Sequence, residues 1–147
     1  MFTTIVVGTD GSRGAERAIQ AAAAVAGRSP GAAVHVVTAY QPLTPRQMNE
    51  LSEQLPEEFR SVLSADMGAG SRLDSARALL GDAGIEAEYH EVSDDPTDAI
   101  LDVVERVGAD LVVVGSRGEG SVKRVIHGSV STKVLHHAPC SVLVVKD

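Results

Sequence analysis

The segment Gly115-Ser116-Arg117-Gly118-Glu119-Gly120-Ser121-Val122-Lys123-Arg124-Val125-Ile126-His127-Gly128-Ser129-Val130-Ser131 carries the residue types that hold an anion. Glycine lets the backbone approach a ligand closely and adopt positive φ. Consecutive exposed amides form a concavity for oxyanions. Gly128-Ser129 stands where a helix opens, and the free N–H groups and dipole of a helix start favour phosphate. Ser129 and Ser131 either add hydroxyl donors or act as ordinary caps of that helix. Between Gly115 and Lys133, four basic residues (Arg117, Lys123, Arg124, Lys133) face one acid, Glu119, a local +3 in a chain of formal charge −7. That local field focuses an anion on the segment. A second group, Gly8-Thr9-Asp10-Gly11-Ser12, closes the first apolar run. Asp10 there either caps the following helix or contacts a ligand or a metal ion.

The spacing also excludes chemistry. There is no Gly-x4-Gly-Lys-Ser/Thr, so the loop is not the phosphate loop of the common nucleotide hydrolases. No Gly-x-Gly-x-x-Gly opens the first helix, which removes the main support for a dinucleotide fold. No nucleophile–base pair stands out, so a binding and sensing role is favoured over catalysis. The alternative is a slow hydrolase in which Asp10 holds Mg²⁺ and the basic loop stabilises the leaving phosphates. Asp94-Asp95 reads as a helix start, and His127 as a loop residue. His136 and His137 suit the C-terminus of a helix. No metal-ligand spacing links them to His35 or His90, so no histidine metal site is expected. Cys140 is the one cysteine. It reads as a small buried hydrophobe, with no internal disulfide possible.

The elements that must position these loops follow from the apolar pattern. Ile5-Val6-Val7-Gly8 reads as a strand buried on both faces. Ser12 caps a helix whose stripe is Ala18, Ile19, Ala22, Val25 and Ala26. A strand is expected from Ala33 to Ala39. Residues 41–58 hold three prolines and little periodicity, and read as a long excursion with at most a turn or two of helix. A helix is expected from about Arg60 to Ala83, with Leu73, Ala76, Leu80 and Ala83 on one face. A polar edge strand follows over Ile85–Val92. Asp95-Pro96 opens a helix with Ile100, Val103, Val104 and Val107 inward. Leu111–Val114 is a buried strand. A last helix covers about Ser129–His136 with Val130, Val134 and Leu135 inward, and Ser141–Val145 closes the chain as a strand.

Strands alternating with helices imply right-handed parallel crossovers. The expected fold is therefore α/β. It is a single Rossmann-like domain over 1–147, a five-stranded parallel sheet of order 3-2-1-4-5 with helices on both faces. Ligands of such sheets sit outside the carboxyl ends of the strands, where the order reverses. That point falls between the strand ending at Gly8-Thr9-Asp10 and the strand ending at Gly115-Ser116-Arg117-Gly118.

The bulk numbers agree. The length suits one core, and 44 % apolar residues exclude a disordered composition. Aromatic residues make up 3 %, so Val, Ile, Leu and Ala must fill the core. A −7 chain is a poor general binder of nucleic acid. No basic leader and no long apolar segment is seen, so no signal peptide or membrane span is expected and the cytoplasm is the expected compartment.

On these residues the chain resembles the universal stress proteins, in their ATP-binding branch. Gly115-x2-Gly118-x9-Gly128-Ser129 is similar to that branch's nucleotide signature. Ile5-Val6-Val7-Gly8-Thr9-Asp10-Gly11-Ser12, Ala109-Asp110-Leu111-Val112-Val113-Val114-Gly115 and Ala138-Pro139-Cys140-Ser141-Val142-Leu143-Val144-Val145 also look like the family, with Cys140 where Val or Ile is more usual. The resemblance implies binding of ATP, or of AMP or cyclic AMP, with Mg²⁺. It places Asp10 by the ribose and metal, with Gly8 and Thr9 on the same edge. It gives the Ala39 backbone to adenine. Gly115, Arg117, Gly118, Gly128, Ser129, Val130 and Ser131 would form the phosphate shell. It also implies a homodimer paired through residues 141–145.

Overall fold

The structure, a computed structural model, describes residues 1–40, 44–57, 69–116 and 128–146. The chain runs β1 (Thr4–Gly8), α1 (Arg13–Gly27), β2 (Ala33–Tyr40), α2 (Pro45–Gln54), α3 (Ala69–Asp82), β3 (Glu88–Ser93), α4 (Pro96–Val107), β4 (Leu111–Gly115), α5 (Ser129–His137) and β5 (Ser141–Val145). All neighbouring strands are parallel, in the order β3-β2-β1-β4-β5. This is the α/β architecture and the strand order expected from the sequence.

The inner strands read as unbroken apolar runs because both faces are covered. On one face Ile5, Val7, Val34, Val36 and Val113 pack against Ala18, Ile19 and Ala22 of α1 and Leu73, Ala76 and Leu80 of α3. On the other, Val6, Val37, Val112 and Val114 pack against Ile100, Val103 and Val104 of α4 and Val134 of α5. The alanines of α1 let its axis lie close to β1 and β4, which the scarcity of aromatic residues already required.

Helix boundaries follow local chemistry. Ser12 caps α1, accepting from the Ala15 N–H at 3.2 Å. Asp95 caps α4 through Thr97 and Asp98, with Pro96 in the first turn. At the amino end of the sheet, Asp110 binds the chain start. Its carboxylate accepts from the backbone N–H groups of Thr3 and Thr4 at 2.9 and 3.0 Å, and from the Thr3 hydroxyl at 3.1 Å. Those bonds, Thr3 before Thr4, hold the Asp110 carboxyl below its ordinary value.

Three expectations need correction, and a fourth lies partly outside the described residues. The stretch expected as an excursion contains the ten-residue helix α2, set by a capping box in which Thr44 and Gln47 bind each other's backbone. None of its residues is buried, so no apolar stripe announced it. The described part of the third helix begins at Ala69, and residues 60–68 of the expected helix lie outside the described residues. The edge strand β3 begins at Glu88 rather than Ile85. In α5, Val134 takes the inward position and Leu135 is 56 % exposed. No described helix is long and apolar enough to cross a membrane.

Candidate functional site

After β1 the chain crosses to α1 on one face of the sheet, and after β4 it continues to α5 on the other. The two strands are hydrogen-bonded neighbours, so their carboxyl ends open a crevice. A cavity of about 260 Å³ fills it. Its floor is Gly8 at the end of β1 with Thr9 and Asp10 after it, and Val114 and Gly115 from β4. Val37 and Ala39 of β2 with Pro96 and Ile100 of α4 give one largely apolar wall. Gly128, Ser129, Val130 and Ser131, where α5 begins, give a wall rich in backbone amide. The expected residues Gly8, Thr9, Asp10, Ala39, Gly115, Gly128, Ser129, Val130 and Ser131 thus share one cleft. Arg117 and Gly118, with Lys123, Arg124 and His127, lie outside the described residues.

The floor needs glycine for want of space. A Cβ on Gly115 would lie 2.9 Å from the carbonyl carbon and oxygen of Gly14, in the backbone of α1. A Cβ on Gly8 would lie 2.6 Å from Ile100 Cδ1. The turn after β1 is tightly bonded. The Thr9 N–H donates to Val37 O at 2.9 Å, and Thr9 Oγ1 accepts from the Gly11 N–H at 3.1 Å. Asp10 Oδ1 accepts from the Ser12 N–H at 2.9 Å. Asp10 is therefore not the N-cap of α1, a position held by Ser12. It shapes the turn and presents a carboxylate to the cleft. Among the described residues lining the cavity, it is the ionisable one.

The start of α5 differs from the other described helix starts. Side chains cap α1, α2 and α4. At α5 the N-cap is Gly128, with no side-chain cap among the described residues. Its first-turn amides therefore face the cleft without the internal acceptor that Ser, Thr or Asp supplies elsewhere. Ser129 is exposed, while Ser131 is buried. The Ser131 hydroxyl is directed to Ser116 O at 3.2 Å and Gly128 O at 3.0 Å, so its hydrogen is engaged internally. The Gly128 N–H also donates to Ser116 O.

Of the apolar wall, sequence reasoning placed only Ala39 in the site and missed Val37, Pro96 and Ile100, the last already a core candidate. It also missed Arg72 of α3, whose Nη1 donates to Ala39 O at 3.1 Å. That carbonyl keeps a second lone pair. No local spacing joins residues so far apart in the chain. Away from the cleft, burial and then the Asp110 charge push the Cys140 thiol up, which keeps it protonated and a poor nucleophile.

The sequence profile described as the universal stress protein family matches residues 1–146. The Thermus aquaticus protein named universal stress protein in QAH/OAS sulfhydrylase 3′ region is 36 % identical over 147 residues, covering 99 % of this chain and 100 % of its own. Among solved structures, a universal stress protein in complex with cAMP superposes with a TM-score of 0.72 at 29 % identity, covering 98 % of this chain and 96 % of its own. The Archaeoglobus fulgidus universal stress protein in complex with dAMP gives 0.67 at 27 %, covering 97 % and 96 %.

Proposed function

The chain belongs to the universal stress protein family, and on that premise we propose that it binds an adenine nucleotide, ATP with Mg²⁺, in the cleft between β1, β4 and α5 and acts as a nucleotide-responsive regulatory protein. The observation that carries this reading is the cleft's two-sided wall. Val37, Ala39, Pro96 and Ile100 offer a surface for a flat base, and the uncapped start of α5 offers amides for phosphate. The cAMP and dAMP complexes of related proteins point to the same ligand class. Gly8, Thr9 and Asp10 would meet the ribose, the Ala39 backbone the adenine, and Gly115, Arg117, Gly118, Gly128, Ser129, Val130 and Ser131 the phosphates. Ser131 would serve by holding the loop's ends rather than by donating its hydroxyl.

Mg²⁺ is usually held by one or two carboxylates together with substrate phosphates and water. Among the described residues one carboxylate, Asp10, lines the cleft, which fits an ion carried by the nucleotide and not a cage of protein ligands. The ion would shield the charge of the phosphates beside Asp10. A single acid already bonded to Ser12 makes a poor general base, so we read the site as one for binding rather than hydrolysis.

Calorimetric titration of the full chain with ATP–Mg²⁺, AMP and cAMP tests the proposal. Saturable binding of at least one is expected, with Asp10→Ala weakening ATP–Mg²⁺ by about tenfold, or about 1.4 kcal/mol. No saturation by any of the three at millimolar ligand would overturn it. A second copy is proposed to pair along β5, a sheet edge carrying Leu143 at 37 % exposure. Light scattering should find a dimer that Leu143→Lys converts to monomer; a monomeric wild type ends that part of the reading.

A further inference from the structure

The other edge of the sheet holds a cluster that no spacing in the sequence suggested. Glu88 and His90 are two apart on β3 and so share a face of the strand. His35 on β2 stands in register with Glu88. His35 Nδ1 lies 3.0 Å from His90 Nε2 and 3.5 Å from Glu88 Oε2, and one ligand atom from each residue falls within 4.8 Å of the others. The two rings are tilted by 35° with centroids 5.3 Å apart. They therefore meet nitrogen to nitrogen and are not stacked.

We propose that His35, Glu88 and His90 bind a divalent transition-metal ion of the zinc class at the β2–β3 edge. Zinc takes imidazole nitrogen at about 2.0–2.1 Å, so two ligand atoms of a tetrahedral site stand about 3.3 Å apart. The 3.0 and 3.5 Å separations bracket that value, and the third lies within 4.8 Å. Two imidazoles and one carboxylate leave a fourth position for water. The nitrogen-rich set disfavours Mg²⁺ and Ca²⁺, which take oxygen ligands.

In the metal-free chain a single hydrogen can bridge the two ring nitrogens. A bound ion displaces that hydrogen, which passes through water to the other nitrogen of the same ring, and both facing lone pairs then turn to the ion. Backbone pairing holds the ligands in place: β2 is hydrogen-bonded on both sides, and β3 is fixed to it over six residue pairs. Glu88 is exposed and leaves a path for the ion to enter, whereas His35 is buried. The Glu88 carboxylate supplies the negative charge. From α4, the positive charge of Arg106 acts on His90, but Asp102 offsets it by pairing with Arg106 at 3.0 Å. The site is separate from the nucleotide cleft, since His35 and Ala39 are about 13 Å apart along β2.

The test is a titration of the full chain, stripped with chelator and dialysed, with Zn²⁺ by calorimetry and with Co²⁺ by visible absorption. One equivalent should bind, and Co²⁺ should show the intense bands of a low-coordinate nitrogen-oxygen site. His90→Ala and Glu88→Gln, both on the edge strand, should each weaken Zn²⁺ by at least tenfold, by analogy with the loss seen when groups supporting a metal site are removed. The paired change His136→Ala with His137→Ala removes the exposed histidines of α5 and should leave binding intact. Circular dichroism and the unchanged nucleotide titration of each variant establish that it folds. If His90→Ala fails that check, Glu88→Gln decides. Absence of stoichiometric binding to wild type, or equal binding by wild type and a folded ligand variant, overturns the proposal.

Discussion

At the carboxyl ends of β1 and β4 the chain presents glycine, backbone amide and one carboxylate around open space. At the amino ends it presents side chains already joined to one another. Asp110 gathers the N–H groups of Thr3 and Thr4, and His35 touches both His90 and Glu88. One end has been kept clear, with Gly8 and Gly115 admitting no Cβ without displacement. The other has been tied. The contrast follows from the parallel sheet, which sends helix starts to one end and helix ends to the other. Helix starts therefore gather at the carboxyl end, where side chains cap α1 and α4 but, among the described residues, none caps α5, and Thr3 and Thr4 are held by Asp110 at the amino end.

The sharpest way to break this contrast is to fill the cleared end. Gly115→Ala drives a methyl against the backbone of α1, which cannot swing aside as a side chain can. It should cost about 3 kcal/mol, near the upper end for overpacking. Thermal unfolding should then fall by roughly 6–12 °C, and nucleotide affinity should fall with it. An unchanged Tm would mean that α1 is not held where it is seen.

Gly8→Ala meets the side chain of Ile100, Cδ1 at 2.6 Å and Cγ1 at 3.1 Å, and no backbone, so about 1 kcal/mol is expected. Adding Ile100→Val removes the Cδ1 atom it strikes. The double variant should lose less than the sum of the two single losses. Strict additivity in denaturant unfolding would refute the steric account.

The smallest effect belongs to the tied end. Asp110→Asn leaves the Thr3 and Thr4 N–H groups with a poorer acceptor and should lower Tm slightly at neutral pH. Hydrogen bonds to the charged form depress the Asp110 pKa, so its contribution is present above the ordinary value of 3.8 and disappears as pH falls through the depressed one. Wild type and variant should therefore converge in Tm on acidification. A gap that does not narrow as the pH is lowered would show that the charge is not what ties the strand.

Much of this was legible in the sequence where the signal is local. The runs Ile5–Val7 and Leu111–Val114 could be nothing but buried strands, and connection rules then left one sensible strand order. Ser12 and Asp95 were recognisable as caps because a cap lies within three residues of what it binds. The glycines after β1 and β4 marked the cleft once the order was known. What escaped had either no burial or no local partner. Helix α2 lies on the surface, and its only announcement was Thr44-Pro45 with Gln47. The contacts of Arg72 with Ala39 and of His35 with His90 depend on helix docking and strand register, which no window of sequence contains. Leu135 was assigned inward because a short helix offers few turns from which to fix a face.

Ser131 draws a last consequence from its two hydrogen bonds. Its hydroxyl touches the carbonyls of Ser116 and Gly128, and the Gly128 N–H joins Ser116 as well. Ser116 and Gly128, the residues on either side of the segment 117–127, are therefore joined by one sewn seam. Lengthening a closed segment adds little entropy, about 0.6 kcal/mol for each doubling. With its ends stitched, that segment can be exchanged as a cassette. Changes of length or sequence within 117–127 should then leave the stability of the sheet nearly unchanged.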